Sequence, residues 1–344
     1  MTHRFFSLLA AAMFAAVTAN SPAAAQEITL RLADSLPNGH AIHEATAKPF
    51  MEAVTKATGG RVKFQHFPAE QLGKAKDMLT LTQTGVVDIA YLVPSYTSDK
   101  MPLTAVSELP GAFQTQCQGS LAFYSLANGG ILEEKEFAPN KIRPLITVAL
   151  PAYQFLVSSS RSITSAKDLQ GLKMRTAGGA MDLTIRKIAA VPVRMAAPEI
   201  YESMSRGTLD GAVLSYQSVT SYDLGKLLKS GTIGMNFGTA LITYSIGETK
   251  WRSLPEDIRK ALTEAGAQAT REACKRLGEM DMGSAEKVKD AGMKVISFSD
   301  ADKAEFDKVF EQVSTDWAKE LDARGKPGSA VAAAFKQAVA ATKP

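Results

Sequence analysis

The sequence predicts an α/β protein built as two similar lobes with a cleft between them. Strand-like and helix-like stretches alternate along most of the chain, the pattern that gives sheets covered by helices. Two segments, 77–93 and 199–215, match each other in residue class and spacing. The length, 344 residues, exceeds what one ordinary domain uses.

In chain order, the first 25 residues read as a secretory signal peptide rather than as part of the fold. "MTHRFF" gives a basic start, "SLLAAAMFAAV" an apolar core, and "SPAAAQ" small residues for cleavage near Ala25. The apolar run is too short to span a membrane and holds no cysteine for a lipid anchor. The expectation is a soluble mature protein, exported to the periplasm.

"ITLRLAD" (28–34) alternates apolar residues and reads as a strand. "AIHEATAKPFMEAVTKATGG" has apolar residues at helical spacing and a double glycine as its stop. "RVKFQHFP" (61–68) reads as a strand, "KAKDMLTLTQTG" as a helix, and "VVDIAYLV" (86–93) as a buried strand. That β-α-β-α-β order implies parallel strands with helical crossovers. The matched segments "DMLTLTQTGVVDIAYLV" and "EIYESMSRGTLDGAVLS" repeat the unit. Asp77 corresponds to Glu199, Gly85 to Gly207, and Asp88 to Asp210. The glycine can end the helix in a left-handed conformation, and the aspartate can cap or turn the chain into the strand.

Residues 254–292 contain few helix breakers. They form either one very long helix or two, broken near Gly278 or Gly283. A helix near 30 residues spans roughly 45 Å and would cross both lobes. "MKVISFS" (293–299) reads as a strand, and a capped helix follows it. The expected division is 26–150 plus about 239–275 for lobe I, and 151–238 plus about 276–344 for lobe II.

Composition excludes some classes. The net charge of +4, from 39 basic and 35 acidic residues, is too mild and too evenly spread for a nucleic-acid binder. Cys117 and Cys274 form no C-x-x-C pattern. An oxidising compartment would permit a disulfide, but separation in sequence says nothing about proximity. Two separate buried thiols are the simpler expectation.

"GLKMRTAGGA" (171–180) places Arg175 at the mouth of a short buried strand with almost nothing polar beside it. Ligands of α/β sheets bind beyond the carboxyl ends of strands. A guanidinium there can hold a carboxylate through two parallel charge-assisted hydrogen bonds. Gly178 and Gly179 would let a ligand approach the backbone, and the helix start beyond them would add free N–H groups. The alternative is a surface arginine, or one tied to a structural acid.

Catalytic motifs do not emerge. The mature chain has His40, His43 and His66. "HAIHE" has the i, i+3 spacing of a capping or solvated pair, lacks an evident third ligand nearby, and is not H-E-x-x-H. G-x-S-x-G, the P-loop and the dinucleotide fingerprint are missing, and no carboxylate pair stands out. The expectation is a protein that is not an enzyme and uses no cofactor and no metal.

Several motifs, taken in order, carry a family resemblance: "LRLADSLPNGHAIHEATAKPFMEAVTKATGGRVKFQHFPAEQLG", "QTGVVDIAYLVP", "DLQGLKMRTAGG", "PVRMAAPEIYESMSRGTLDG" and "WRSLPEDIRKAL". The chain resembles the DctP-like solute-binding proteins of tripartite ATP-independent periplasmic (TRAP) transporters. The resemblance implies a two-lobed periplasmic binding protein fold with mixed sheets, an interlobe ligand cleft and a long helix crossing both lobes. It implies a small-molecule carboxylate as ligand, with Arg175 as its anchor. It also implies delivery to a membrane permease of small and large subunits, driven by an ion gradient.

Departures from the family pattern narrow the expected ligand. Sialic-acid-binding members carry a second arginine on the strand corresponding to "PAYQFLVSSS"; its place here falls near Phe155. After the D-G pair, where many members have a polar residue, stand Ala212, Val213 and Leu214. "DIAYLVPSY" presents Tyr91, Val93 and Tyr96. Such walls disfavour a sugar acid, whose unpaired polar groups would each cost about 1–3 kcal/mol. They suit a monocarboxylate with a hydrophobic body, an aromatic acid first of all. The candidate ligand set is Arg175, Tyr91, Val93, Tyr96, Phe155, Gly178, Gly179, Met195, Leu214, Ser35 and Asn38. Core packing is the alternative for Tyr91, Phe155 and Met195. Two other functions are weighed: a periplasmic sensor serving a receptor, and an enzyme using Asp210 or His66.

Overall fold

The computed structural model describes residues 27–158 and 163–342. The expected signal peptide lies outside the described residues. Among the described residues, eleven strands form two mixed sheets. The first uses β1 (Ile28–Ala33), β2 (Val62–Phe67), β3 (Ile89–Leu92), β4 (Ile142–Ala149) and β10 (Leu241–Gly247), in the order β2-β1-β3-β10-β4. The second uses β5 (Gln154–Val157), β6 (Lys173–Thr176), β7 (Val191–Arg194), β8 (Gly211–Leu214), β9 (Ser230–Ile233) and β11 (Lys294–Ser297), in the order β11-β9-β5-β8-β6-β7.

The sheets share a plan. In each, three parallel strands (β2-β1-β3 and β7-β6-β8) are extended by one antiparallel strand, β10 or β5. The antiparallel strands fall where the chain passes from one sheet to the other, between β4 and β5 and between β9 and β10. Strands β3, β5 and β8 are buried at every residue. Covered on both faces, they read as continuous apolar runs rather than as alternation.

The matched segments are structurally equivalent. Gly85 and Gly207 both lie in the left-handed region, at φ +74° and +71°, and end short helices. The aspartates do more than turn the chain. The Asp88 carboxylate accepts the Arg31 amide at 2.8 Å, while its own amide donates to the Arg31 carbonyl at 3.0 Å. Asp210 makes the same pair of bonds to Lys173, at 2.8 and 2.9 Å. Each aspartate therefore pins its strand to the parallel neighbour and fixes the register of its sheet.

The long helix runs over Glu256–Asp281, 26 residues or about 39 Å. It ends before Gly283, whose φ of +77° starts a separate helix, Ser284–Asp290. Of the two expected outcomes, the broken one is found. The helix packs on β4 and on helices Ala47–Ala57 and Gln116–Ala127, and its last turn reaches helix Tyr216–Ser221 beside the second sheet. Gly266 permits the approach to β4, because a Cβ there would stand 2.2 Å from the Leu145 carbonyl oxygen. Among the described residues, no helix is long and apolar enough to cross a membrane.

The cysteines correct the sequence reading. Cys117 and Cys274 are not separate thiols but a disulfide, 157 residues apart in the chain. Cys117 lies in the first turn of a helix, Gln116–Ala127, whose start is fixed by a Thr115–Gln118 capping box. That helix lies along the long helix that carries Cys274.

Candidate functional site

A small, nearly closed cavity, with about 20 Å³ of space for the centre of a water-sized sphere, lies between the sheets. Tyr91 and Val93 reach it from the end of β3, Tyr96 from the turn Pro94–Thr97 that follows. Arg175 comes from β6 and Leu214 from β8. Leu150 and Tyr153 come from the first crossing between sheets, Ala240 from the end of the second, and Ile242 from β10. Ile42, Ala197, Ser218 and Tyr222 complete the wall. Among the described residues, Arg175 is the only charged one lining it.

Arg175 is 1% exposed. Its strand pairs on both sides, with β7 and β8, so its backbone is fixed. Nε donates to the Met195 carbonyl at 3.1 Å and Nη2 to the Tyr96 hydroxyl at 3.4 Å. Nη1 is buried and has no partner among the described residues. The neighbouring acid is committed elsewhere: Asp182 takes the Arg194 guanidinium at 2.8 Å and the Thr176 hydroxyl. Arg175 is thus neither a surface arginine nor one tied to a structural acid. A buried cation without a counter-charge is costly, and an anion in the cavity would remove that cost.

The remaining groups set the polarity. Tyr96 Oη accepts the Ala197 amide at 2.9 Å. Burial pushes the Tyr91 and Tyr222 phenols well above their ordinary pKa, so both stay neutral hydrogen-bonding groups. Behind the wall, the Tyr91 ring meets Tyr244 edge-on at 5.4 Å. Tyr244 donates to Asp34 at 2.7 Å. Burial acts to raise the Asp34 pKa, but hydrogen bonds from His43, His66, Tyr244 and the Leu36 amide outweigh it and hold the carboxyl below the usual range.

The histidines divide their roles. His40 caps a short helix by accepting the Ile42 amide at 3.2 Å, and burial pushes its pKa down to about 4. His43 bonds Asp34 at 3.2 Å and stacks on His66, with ring centroids 4.4 Å apart and planes 16° apart. Tertiary structure thus supplies what the sequence did not show, a third donor beside His43. The donor atoms of Asp34, His43 and His66 lie within 4.8 Å of one another. However, imidazole lone pairs lie in the ring plane, and nearly parallel planes do not converge on one ion. In this arrangement the cluster supports the pocket wall through Tyr244.

The sequence-derived candidates divide. Arg175, Tyr91, Val93, Tyr96 and Leu214 meet at the cavity. Phe155 does not line it; it packs into a core cluster, 4.8 Å from the Phe237 ring, and Tyr153 takes the cavity position two residues earlier. Met195 presents its carbonyl to Arg175 rather than its side chain to the cavity. Ser35 is buried beyond β1 and Asn38 is exposed, and neither lines the cavity. Gly178 and Gly179, at φ +106° and +59°, make room for protein instead. An added Cβ would stand 2.7 Å from the Ser95 carbonyl oxygen and 2.4 Å from Glu108 Oε2, respectively. Sequence reasoning missed Tyr153, Tyr222, Ser218 and the aliphatic residues Ile42, Leu150 and Ile242. Tyr153 stood in the quoted strand, and its alternation with Phe155 was the available signal; the others carried none.

Comparison with known proteins places these features in context. A profile of the DctP family, described as bacterial extracellular solute-binding protein family 7, matches residues 32–320. A solute-binding protein of Roseobacter denitrificans is 30% identical over 267 residues, covering 76% of this chain and 79% of the relative. The C4-dicarboxylate-binding periplasmic protein DctP of Rhodobacter capsulatus is 25% identical and covers 94% of this chain and 96% of its own. A TRAP solute-binding protein from Rhodoferax ferrireducens, solved with copurified benzoate, superposes with a TM-score of 0.83 at 24% identity, covering 91% and 98% of the two chains. A marine metagenome protein specific for aromatic acids, solved with 3-hydroxybenzoate, gives 0.84 at 24% identity, covering 93% and 100%. At that identity the structural likeness establishes the two-lobed fold.

Proposed function

Because the chain belongs to the DctP family of bacterial extracellular solute-binding proteins, we propose that it is the periplasmic solute-binding subunit of a TRAP transporter, specific for a small organic monocarboxylate. The observation that carries this reading is Arg175, a buried guanidinium whose Nη1 has no partner, in a cavity with no other charged side chain, among the described residues. One cation matches one carboxylate. The side edge of the guanidinium is used by Met195 and Tyr96, so the end edge is left for the ligand. The walls are aromatic and aliphatic, with phenols as the main polar groups, which favours an aromatic acid over a sugar acid. Structural relatives hold benzoate, 3-hydroxybenzoate and mandelate, and another holds galacturonate; those ligands belong to those proteins.

In this reading, lobe I (26–150 with about 239–275) and lobe II (151–238 with about 276–344) close on the acid. The closed form docks on the small and large permease subunits, and an ion gradient drives uptake. The residues an enzyme would use are engaged otherwise: Asp210 pins β8 to Lys173, and His66 stacks on His43.

Calorimetry and thermal shift against a carboxylate panel test the proposal. The expected result is stabilisation by an aromatic monocarboxylate, recovered chemically unchanged, since a ligand bound to the native state raises stability. Preference for a uronic acid would overturn the ligand class, and turnover would overturn the binding role.

A further inference from the structure

We propose that the phenol of Tyr96 is the second carboxylate donor of this cavity and the latch that couples its filling to closure of the lobes. The inference rests on the carboxylate reading of Arg175. Tyr96 belongs to the first sheet's side of the cavity, in the turn after β3, where its amide is tied to the Val93 carbonyl at 2.9 Å. Its hydroxyl partners belong to the other side. One is the Ala197 amide at 2.9 Å, just beyond β7; the other is Arg175 Nη2 at 3.4 Å, on β6. A single oxygen therefore joins two segments of the second lobe to the first.

A phenol has two lone pairs and one proton. Here both lone pairs are taken, one by each N–H donor. The proton points to neither, and no described residue accepts it. Arg175 Nη1, on the same guanidinium, is likewise unpartnered. Two unsatisfied donors, one charged and one neutral, thus border one cavity. A carboxylate has two oxygens with about four lone-pair sites between them, enough to accept from both. Tyr96 supplies this second bond without adding charge, so a monoanion leaves the site neutral.

The same bonds explain a link to closure. Opening the cleft separates Tyr96 from Ala197 and Arg175 and returns its hydroxyl to water. Shutting it without a ligand leaves the phenol proton with no acceptor. A bound carboxylate satisfies that proton only when the lobes are shut, and so stabilises the closed form over the open one.

Tyr96→Phe keeps the ring and removes the oxygen. The probes are benzoate, 3-hydroxybenzoate, mandelate and pyroglutamate, measured by calorimetry and stopped flow. For whichever probe binds the wild type, affinity should fall about 10- to 100-fold, as for a lost hydrogen bond to a charged group. The loss should lie in faster dissociation, with association nearly unchanged; a side chain that only shaped the pocket has no reason to divide the effect this way. Unchanged affinity, or a loss confined to association, overturns the proposal. If no probe binds the wild type, the carboxylate reading itself is in error. Small-angle scattering then judges the latch: saturating probe should reduce the radius of gyration of the wild type more than that of Tyr96→Phe, and equal compaction of the two overturns it.

Discussion

Arg175 donates from Nε to the carbonyl oxygen of Met195 at 3.1 Å, and this bond holds the guanidinium with Nη1 unpartnered in the cavity. A residue proposed for its side chain serves through its backbone. The orientation of the cation is set by a carbonyl just beyond the neighbouring parallel strand, β7.

Arg175→Ala should abolish carboxylate binding while leaving the ligand-free fold intact. Removing one partner of a buried charge pair costs on the order of 2–5 kcal/mol of affinity. Arg175→Lys should also bind poorly, because an ammonium lacks the planar fork that reaches Met195 and the ligand together. Calorimetry with circular dichroism checks both variants, and near-native affinity in either would remove the anchor role.

Reduction of Cys117–Cys274 should lower stability by about 2–4 kcal/mol, chiefly by releasing a long loop in the unfolded chain. Urea titrations with and without reductant measure the difference. The bridge ties two helices that pack on β4, and neither cysteine lines the cavity, so ligand affinity should change little.

Gly266→Ala should destabilise the fold by about 1–3 kcal/mol, despite the better helix propensity of alanine. The added Cβ would meet the Leu145 carbonyl oxygen at 2.2 Å and push the long helix off β4. A urea midpoint at or above the wild-type value would show that the helix shifts without cost.

Burial raises the pKa of Glu108 to about 8 and that of Glu136 to about 7. Each holds a proton in the native state that the unfolded chain releases near 4.5. Their contribution to stability is therefore full below that pH and is lost as pH rises through the folded values. His40, pushed down to about 4, acts in the opposite direction below pH 6.5. The cleaner measurement is thus a difference: Glu108→Gln, which keeps a neutral side chain, should lose less melting temperature between pH 5 and 8.5 than the wild type. Parallel curves for the two proteins would contradict a buried, protonated Glu108.

Local patterns in the sequence carried much of the architecture. The Gly-x-x-Asp match at 85–88 and 207–210 marked two equivalent helix-to-strand units, and both glycines adopt the left-handed conformation. The run after Pro255 gave a long helix, and Gly283 marked its break. "GLKMR" marked a buried strand ending in a cation. These features depend on residues close in the chain, where backbone preference and apolar spacing act directly.

Contacts between distant segments were decided by tertiary structure alone. The pairing of Cys117 with Cys274 follows from two helices lying side by side. The choice of Tyr153 over Phe155 at the cavity depends on where the chain leaves one sheet for the other. The space above Gly178 and Gly179 goes to Ser95 and Glu108, from the far side of the cleft. Sequence determined which surfaces were apolar and where the chain could turn; close packing determined which of those surfaces met, since no local preference records what lies across a gap.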